Sequence, residues 1–138
     1  MAIASVATLG ASAVKGADQS TCVLPLAAQA DAPNLVVVVF EMDNHATVDG
    51  DDSSVSSVTD SATGNTWVKA RGYTNGQGTI QLGATVEVWY SVLANTIASA
   101  GTITASLTNN TSRDATAASG WEFTHAASST ISVEAGTE

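Results

Sequence analysis

The chain has 138 residues, with 13 acidic against four basic side chains and a formal charge of −9. That length suits one domain able to bury a core without disulfide or metal staples. The charge excludes tracking of nucleic-acid phosphates and docking on an anionic membrane, because both need clustered Lys or Arg. A hydrophobic fraction of 44% with only 12% charged residues excludes a disordered chain.

In chain order, Met1 to Leu9 alternates loosely and is expected to be a first edge strand, or an arm that orders on a partner. Residues 1–19 are therefore set apart from a single domain over 20–138. The segment carries no positive n-region and its first cation is Lys15, so no export signal is expected. Ser20 to Leu26 predicts a short strand that tolerates Pro25 only near its end. Its Cys22, the one cysteine of the chain, is expected to be a small buried hydrophobe. Asp31-Ala32-Pro33-Asn34 is a turn leading into Leu35–Phe40, a β-branched run that predicts a strand in the middle of a covered sheet. That run is far too short to span a bilayer.

The polar loop from Glu41 to Asp52 follows. Val55 to Gly78 predicts a β-hairpin, with Asp60–Asn65 supplying the turn chemistry. Ala84 to Val92 alternates, with Val86, Val88, Tyr90 and Val92 on one face and Glu87, Trp89 and Ser91 on the other. Gly101–Leu107 alternates again, and Asn109–Ser112 reads as a turn. Ala115–Thr124 places Ala117, Ser119, Trp121 and Phe123 on one side of a strand. Ile131–Val133 is expected to be a last short strand before an acidic tail. Eight or nine short strands separated by turn clusters, with no convincing amphipathic helix, predict an all-β antiparallel β-sandwich of jelly-roll or Greek-key connectivity.

Side chains capable of chemistry are sparse. Asp43, Asp49, Asp51 and Asp52 lie on one Gly-containing loop and form the candidate set for a divalent cation, which would draw six or more oxygens from such a loop. The spacing departs from the twelve-residue helix–loop–helix cassette, and no other cofactor is expected. His45 and His125 lack the further ligands of a zinc site and the nucleophile elbow of a hydrolase. Glu41, Glu87 and Glu122 are carboxylates of the kind used in glycoside cleavage, but the better reading makes them solvated face residues. Trp89, sharing a face with Glu87 and Ser91, and Tyr73 form a candidate glycan-binding platform, whereas Trp67 and Trp121 are expected to pack in the core. Lys69 and Arg71 are half of the cations and mark a place to meet an acidic neighbour.

The run Asn34–Phe40, then Val55–Ser61, Gly64-Asn65-Thr66-Trp67, Val88–Ser91, Gly101–Thr104 and Trp121-Glu122-Phe123 resembles a recurrent β-sandwich module of tailed-bacteriophage virion proteins and bacterial surface proteins. The likeness covers roughly Ser20 to Val133. Read as a small, acidic, free-standing copy, the chain is similar to capsid decoration (cement) proteins. The resemblance implies a non-enzymatic virion protein on the capsid exterior, assembled in the host cytoplasm. Its partners would be the major capsid protein and further copies of itself, as a dimer or trimer. Ile3, Val6 and Leu9 of the N-terminal segment, with Lys69 and Arg71, would then be partner-binding residues. The alternative is a tail- or fibre-associated adhesin binding glycans through Tyr73 and Trp89.

Overall fold

In a computed structural model, residues 3–16, 18–108, 113–126 and 129–134 are described. Eight strands run in chain order: β1 (Ser5–Lys15), β2 (Thr21–Pro25), β3 (Leu35–Asp43), β4 (Val55–Asp60), β5 (Val68–Asn75), β6 (Ala84–Val92), β7 (Thr102–Leu107) and β8 (Ala115–Phe123). All pairings are antiparallel. One sheet has five strands in the order β1-β8-β3-β6-β5, and the other has three in the order β2-β7-β4. The fold is an antiparallel β-sandwich, and among the described residues there is no helix. The turn at Asn109–Ser112 and the end of the acidic tail lie outside the described residues.

The orders 1-8-3-6 and 2-7-4 are those of a jelly roll, two interlocked Greek keys folded into facing sheets. One strand departs from the four-plus-four pattern. β5 would lie beside β4 there, but here it hydrogen-bonds to β6 in the opposite sheet. The expected hairpin over Val55–Gly78 is therefore not formed: its two strands belong to different sheets. The turn residues between them hold a crossover instead. Asp60 accepts from Ala62 N at 2.9 Å and from Trp67 Nε1 at 2.8 Å, and Asn65 Oδ1 accepts from Ala94 N and Asn95 N across the loop. The reversal chemistry was genuine, but it turned the chain from one layer to the other. Residues 131–134, where a last short strand was expected, form none.

β3 is the middle strand of the five, in keeping with its unbroken Val run. Its even-numbered residues Val36, Val38, Phe40 and Met42 face inward and are buried against Leu24, Leu26, Val58, Ile103 and Ala105. β1 is an edge strand paired with β8 over its whole length, from Ser5↔Phe123 to Lys15↔Ala115. Two register irregularities interrupt it, and Leu9, at 0% exposure, enters the core there. At the next residue β1 passes over the end of β2. Gly10 has φ +148°, and a Cβ there would stand 2.7 Å from Pro25 O, so both conformation and space demand glycine. Leu9 is therefore a core residue and not a partner contact. Removing Met1–Lys15 would strip the edge strand that covers β8 and supplies Leu9 to the core.

Candidate functional site

Alternate residues of a strand point to opposite faces, and in β6 the outcome reverses the expectation for Trp89. Glu87, Trp89 and Ser91 face the core, with Trp89 at 9% and Glu87 at 0% exposure, while Val86 on the other face is 38% exposed. Glu87 tolerates the inside because its carboxylate is paired there, whereas the buried Ser91 Oγ has no hydrogen-bond partner among the described residues. Glu87 Oε1 accepts from Val55 N of β4 at 3.1 Å, and its Oε2 accepts from Trp89 Nε1 at 3.0 Å. Lys69 Nζ approaches Glu87 Oε1 at 3.3 Å and Asp51 Oδ1 at 2.6 Å. A carboxylate and an ammonium thus occupy the place beside β4 that β5 vacates. With its indole inside and its N–H satisfied, Trp89 is unavailable as a sugar platform. Tyr73 stays 55% exposed.

Of the four loop aspartates, two converge and two do not. Asp51 and Asp52 join Glu87 with one ligand atom from each within 4.8 Å of the others. Asp43 Oδ2 instead accepts from the amides of Asp114 and Ala115, and Asp49 Oδ1 accepts from Gly76 N at 2.9 Å. The Lys69 ammonium lies against two members of the converging group and supplies positive charge there, so a divalent cation would have to displace it. Arg113 adds more. It is fully buried, its Nη2 donating to Ser54 Oγ at 2.8 Å, its Nη1 to Asp43 O at 2.7 Å and its Nε to Thr108 O at 3.1 Å. Ser54 Oγ in turn donates to Asp52. Arg113 has no signal in the sequence beyond being one of four cations, since its partners lie up to 70 positions away.

Burial works against the charge on both Asp51 and Lys69, yet their mutual hydrogen bond and ion pairing outweigh it. The Asp51 carboxyl falls below its ordinary 3.8 and the Lys69 ammonium rises above its ordinary 10.5. A depressed carboxyl stabilises the fold above pH 3.8 and loses that contribution as pH falls through the lower folded value. A raised ammonium stabilises below pH 10.5 and loses it as pH rises through the higher folded value. The pair's contribution to stability should therefore be level between these limits and decline outside them. Asp51→Asn should flatten the acid-side decline, by at most about 1 kcal/mol because the pair is partly solvent-screened. An unchanged acid slope in that variant would refute the assignment.

Burial is also the main cause that pushes the Cys22 thiol up to about 11, with Glu41 adding to it and a hydrogen bond to Thr116 opposing it. It is buried and reduced. Glu122 is buried on the inner face, accepting from Asp31 N and Asn34 Nδ2, each at 2.8 Å. Glu87 sits two strands away across β3 and Glu41 is exposed on the opposite face. These three glutamates do not form a facing pair. His125 Nε2 lies 3.0 Å from Ser129 O, and neither histidine joins the acidic group.

The other surface feature is the outer face of the five-stranded sheet. Register places its residues in rungs: Trp121–Val37–Tyr90–Val68, then Ser119–Val39–Val88–Arg71, then Ala117–Glu41–Val86–Tyr73. Most of these side chains are apolar and part-exposed, with Val68, Val86 and Tyr73 the more open ones toward β5. Arg71, Tyr73, Val86 and Val88 line a shallow groove of about 280 Å³ between β5 and β6. At the outermost strand on the opposite side, Val6 and Val14 of β1 and the preceding Ile3 are exposed.

Fold and surface together define an antiparallel β-sandwich of jelly-roll connectivity with an internal ionic clasp and an open apolar sheet face. Comparison with protein-family models, curated proteins and solved structures finds no match for the chain.

Proposed function

We propose that the chain is a structural protein of a phage virion, a non-enzymatic capsid decoration (cement) protein that binds the outside of the head lattice and stabilises it. Its partner would be the major capsid protein, met on the capsid exterior after assembly in the host cytoplasm. The resemblance of the strand motifs supports this reading, as does a connectivity that capsid domains use widely. The observation that carries it is the β1 border. Ile3 at 59% and Val6 at 49% exposure lie at the N-terminal end of an edge strand with no charged residue before Lys15. Two register irregularities and the Ala27 N to Leu9 O bond protect the middle of this edge, but neither charge nor proline guards its apolar N-terminal end, which supports a surface built to be covered.

Purified heads of the phage that encodes the chain provide the test. The protein should co-sediment with heads in stoichiometric amount, and Val6→Lys should abolish this while leaving thermal unfolding unchanged. Recovery only with tail fractions would overturn the reading, as would undiminished head binding by Val6→Lys.

A further inference from the structure

We propose that the outer face over β3, β6 and β5 is the contact between two copies of this chain, packed face to face about a two-fold axis running parallel to the strands over β6. The inference rests on the reading of the chain as a self-associating structural protein, and assigns the surface and the symmetry. β6 is flanked by β3 on one side and β5 on the other, so such an axis lays β3 of each copy over β5 of its mate. The three rungs then match. Tyr90, Val88 and Val86 meet their own equivalents along the axis. Val37 falls on Val68 of the second copy, and Glu41 falls on its Tyr73, one rung from its Arg71.

Charge selects this occupant. Two chains of −9 repel over most of their surface, but these three strands present one exposed anion, Glu41, and one exposed cation, Arg71, on this face. Asp43, at the end of β3 on the same face, is half-buried and held by the amides of Asp114 and Ala115. The exposed charges cancel, and the two-fold exchanges their signs, so that two Glu41–Arg71 pairs form across the contact. Rungs about 7 Å apart on sheets about 10 Å apart leave both side chains long enough to meet. The groove between β5 and β6 receives the Val39 ridge of the other copy. Three strands about 4.8 Å apart and three rungs about 7 Å apart give roughly 300 Å² of flat sheet on each copy. That is the size of the largest apolar patch on a typical monomer, which is often a functional one. It is smaller than the roughly 800 Å² per partner of a standard interface, so the dimer is reversible.

Sedimentation velocity on the full chain over a wide concentration range is the test. The mass should rise from 13.9 kDa toward twice that value. Val88→Lys, which sets like charges against each other on the axis, should remain a monomer throughout. Glu41→Arg and Arg71→Glu, both at exposed positions, should each weaken association about tenfold, or ~1.4 kcal/mol, because either change breaks both pairs. The double variant should restore it. A monomeric wild type, a trimer, or a double variant no better than the single ones would overturn the proposal. Head binding by a monomeric wild type would overturn it too while leaving the decoration reading intact, and a dimer that ignores heads does the reverse.

Discussion

Arg113→Ala should cost about 3–5 kcal/mol of folding stability, the scale on which a buried charge network fails when one partner is removed. The guanidinium is fully buried and makes three hydrogen bonds, reaching the end of β3 through Asp43 O, the end of β7 through Thr108 O, and the residue before β4 through Ser54 Oγ. Burial lowers its pKa, while the fields of Asp52, Glu87 and Asp43 act in the opposite direction and favour the charged form. Truncation therefore leaves the part-buried carbonyls of Thr108 and Asp43 without their guanidinium donor and the Ser54–Asp52 pair without its neighbouring cation, while Glu87 keeps only Lys69 as a cation beside it. Arg113→Lys should recover only part of the loss, because a single ammonium cannot reproduce a planar fork aimed at three acceptors. Urea denaturation reads the effect as a lowered midpoint at unchanged slope. A loss below about 1 kcal/mol would show that the network relaxes around the gap.

Asn44→Ala should cost about 2–4 kcal/mol, as much as truncating a core hydrophobe. Asn44 is 0% exposed and serves a whole corner of the molecule. The two N–H groups of its Nδ2 serve three carbonyls, Ala46 O, Gly76 O and Thr79 O, all within 2.9 Å, so that one N–H is shared, and its Oδ1 accepts from Gly83 N at 2.7 Å. These bonds tie the loop after β3 to both ends of the β5–β6 connection. The corner is also sterically closed: a Cβ on Gly83 would fall 1.7 Å from Asn75 O, and one on Gly76 would fall 2.3 Å from the Thr47 carbonyl carbon. Without the amide, three carbonyls and an amide N–H lose their partner in a space too tight for rearrangement. Amide hydrogen exchange should show Gly83 losing protection before the centre of β6 does. Equal loss at both would mean that the corner does not open as a local unit.

Neither residue stands out in the sequence, and the reason is physical. Strands announce themselves through local periodicity, which is why Ala84–Val92 was legible to the residue and why Leu35–Phe40 pointed to the middle of a sheet. A buried Arg or Asn announces nothing, because most of its partners come from 32 to 70 positions away. The same limit explains Val55–Gly78: turn residues show that the chain bends, not which layer receives the next strand. In β6 the alternation gave the right two faces, but hydrophobicity favoured the wrong one for the core. A narrow second sheet leaves room inside for Glu87, and a wide first sheet leaves Val86 and Val88 outside. Of the loop aspartates, Asp51 and Asp52 meet Glu87 of β6, a juxtaposition no spacing rule contains.

The strand order also dictates when the molecule can be completed. β8, the last strand made, is inserted between β1, the first, and β3, the central one. Until Ala115–Phe123 has left the ribosome, β1 has no strand partner in its sheet, and β3 has its β8-side edge unsatisfied beside a run of four valines. Pairings that span Ser5 to Phe123 are slow to close, because loop entropy is lost before the contacts form. A nascent chain of this topology therefore holds two unzipped edges throughout its synthesis, and truncation anywhere before β8 leaves an aggregation-prone fragment in place of a smaller domain.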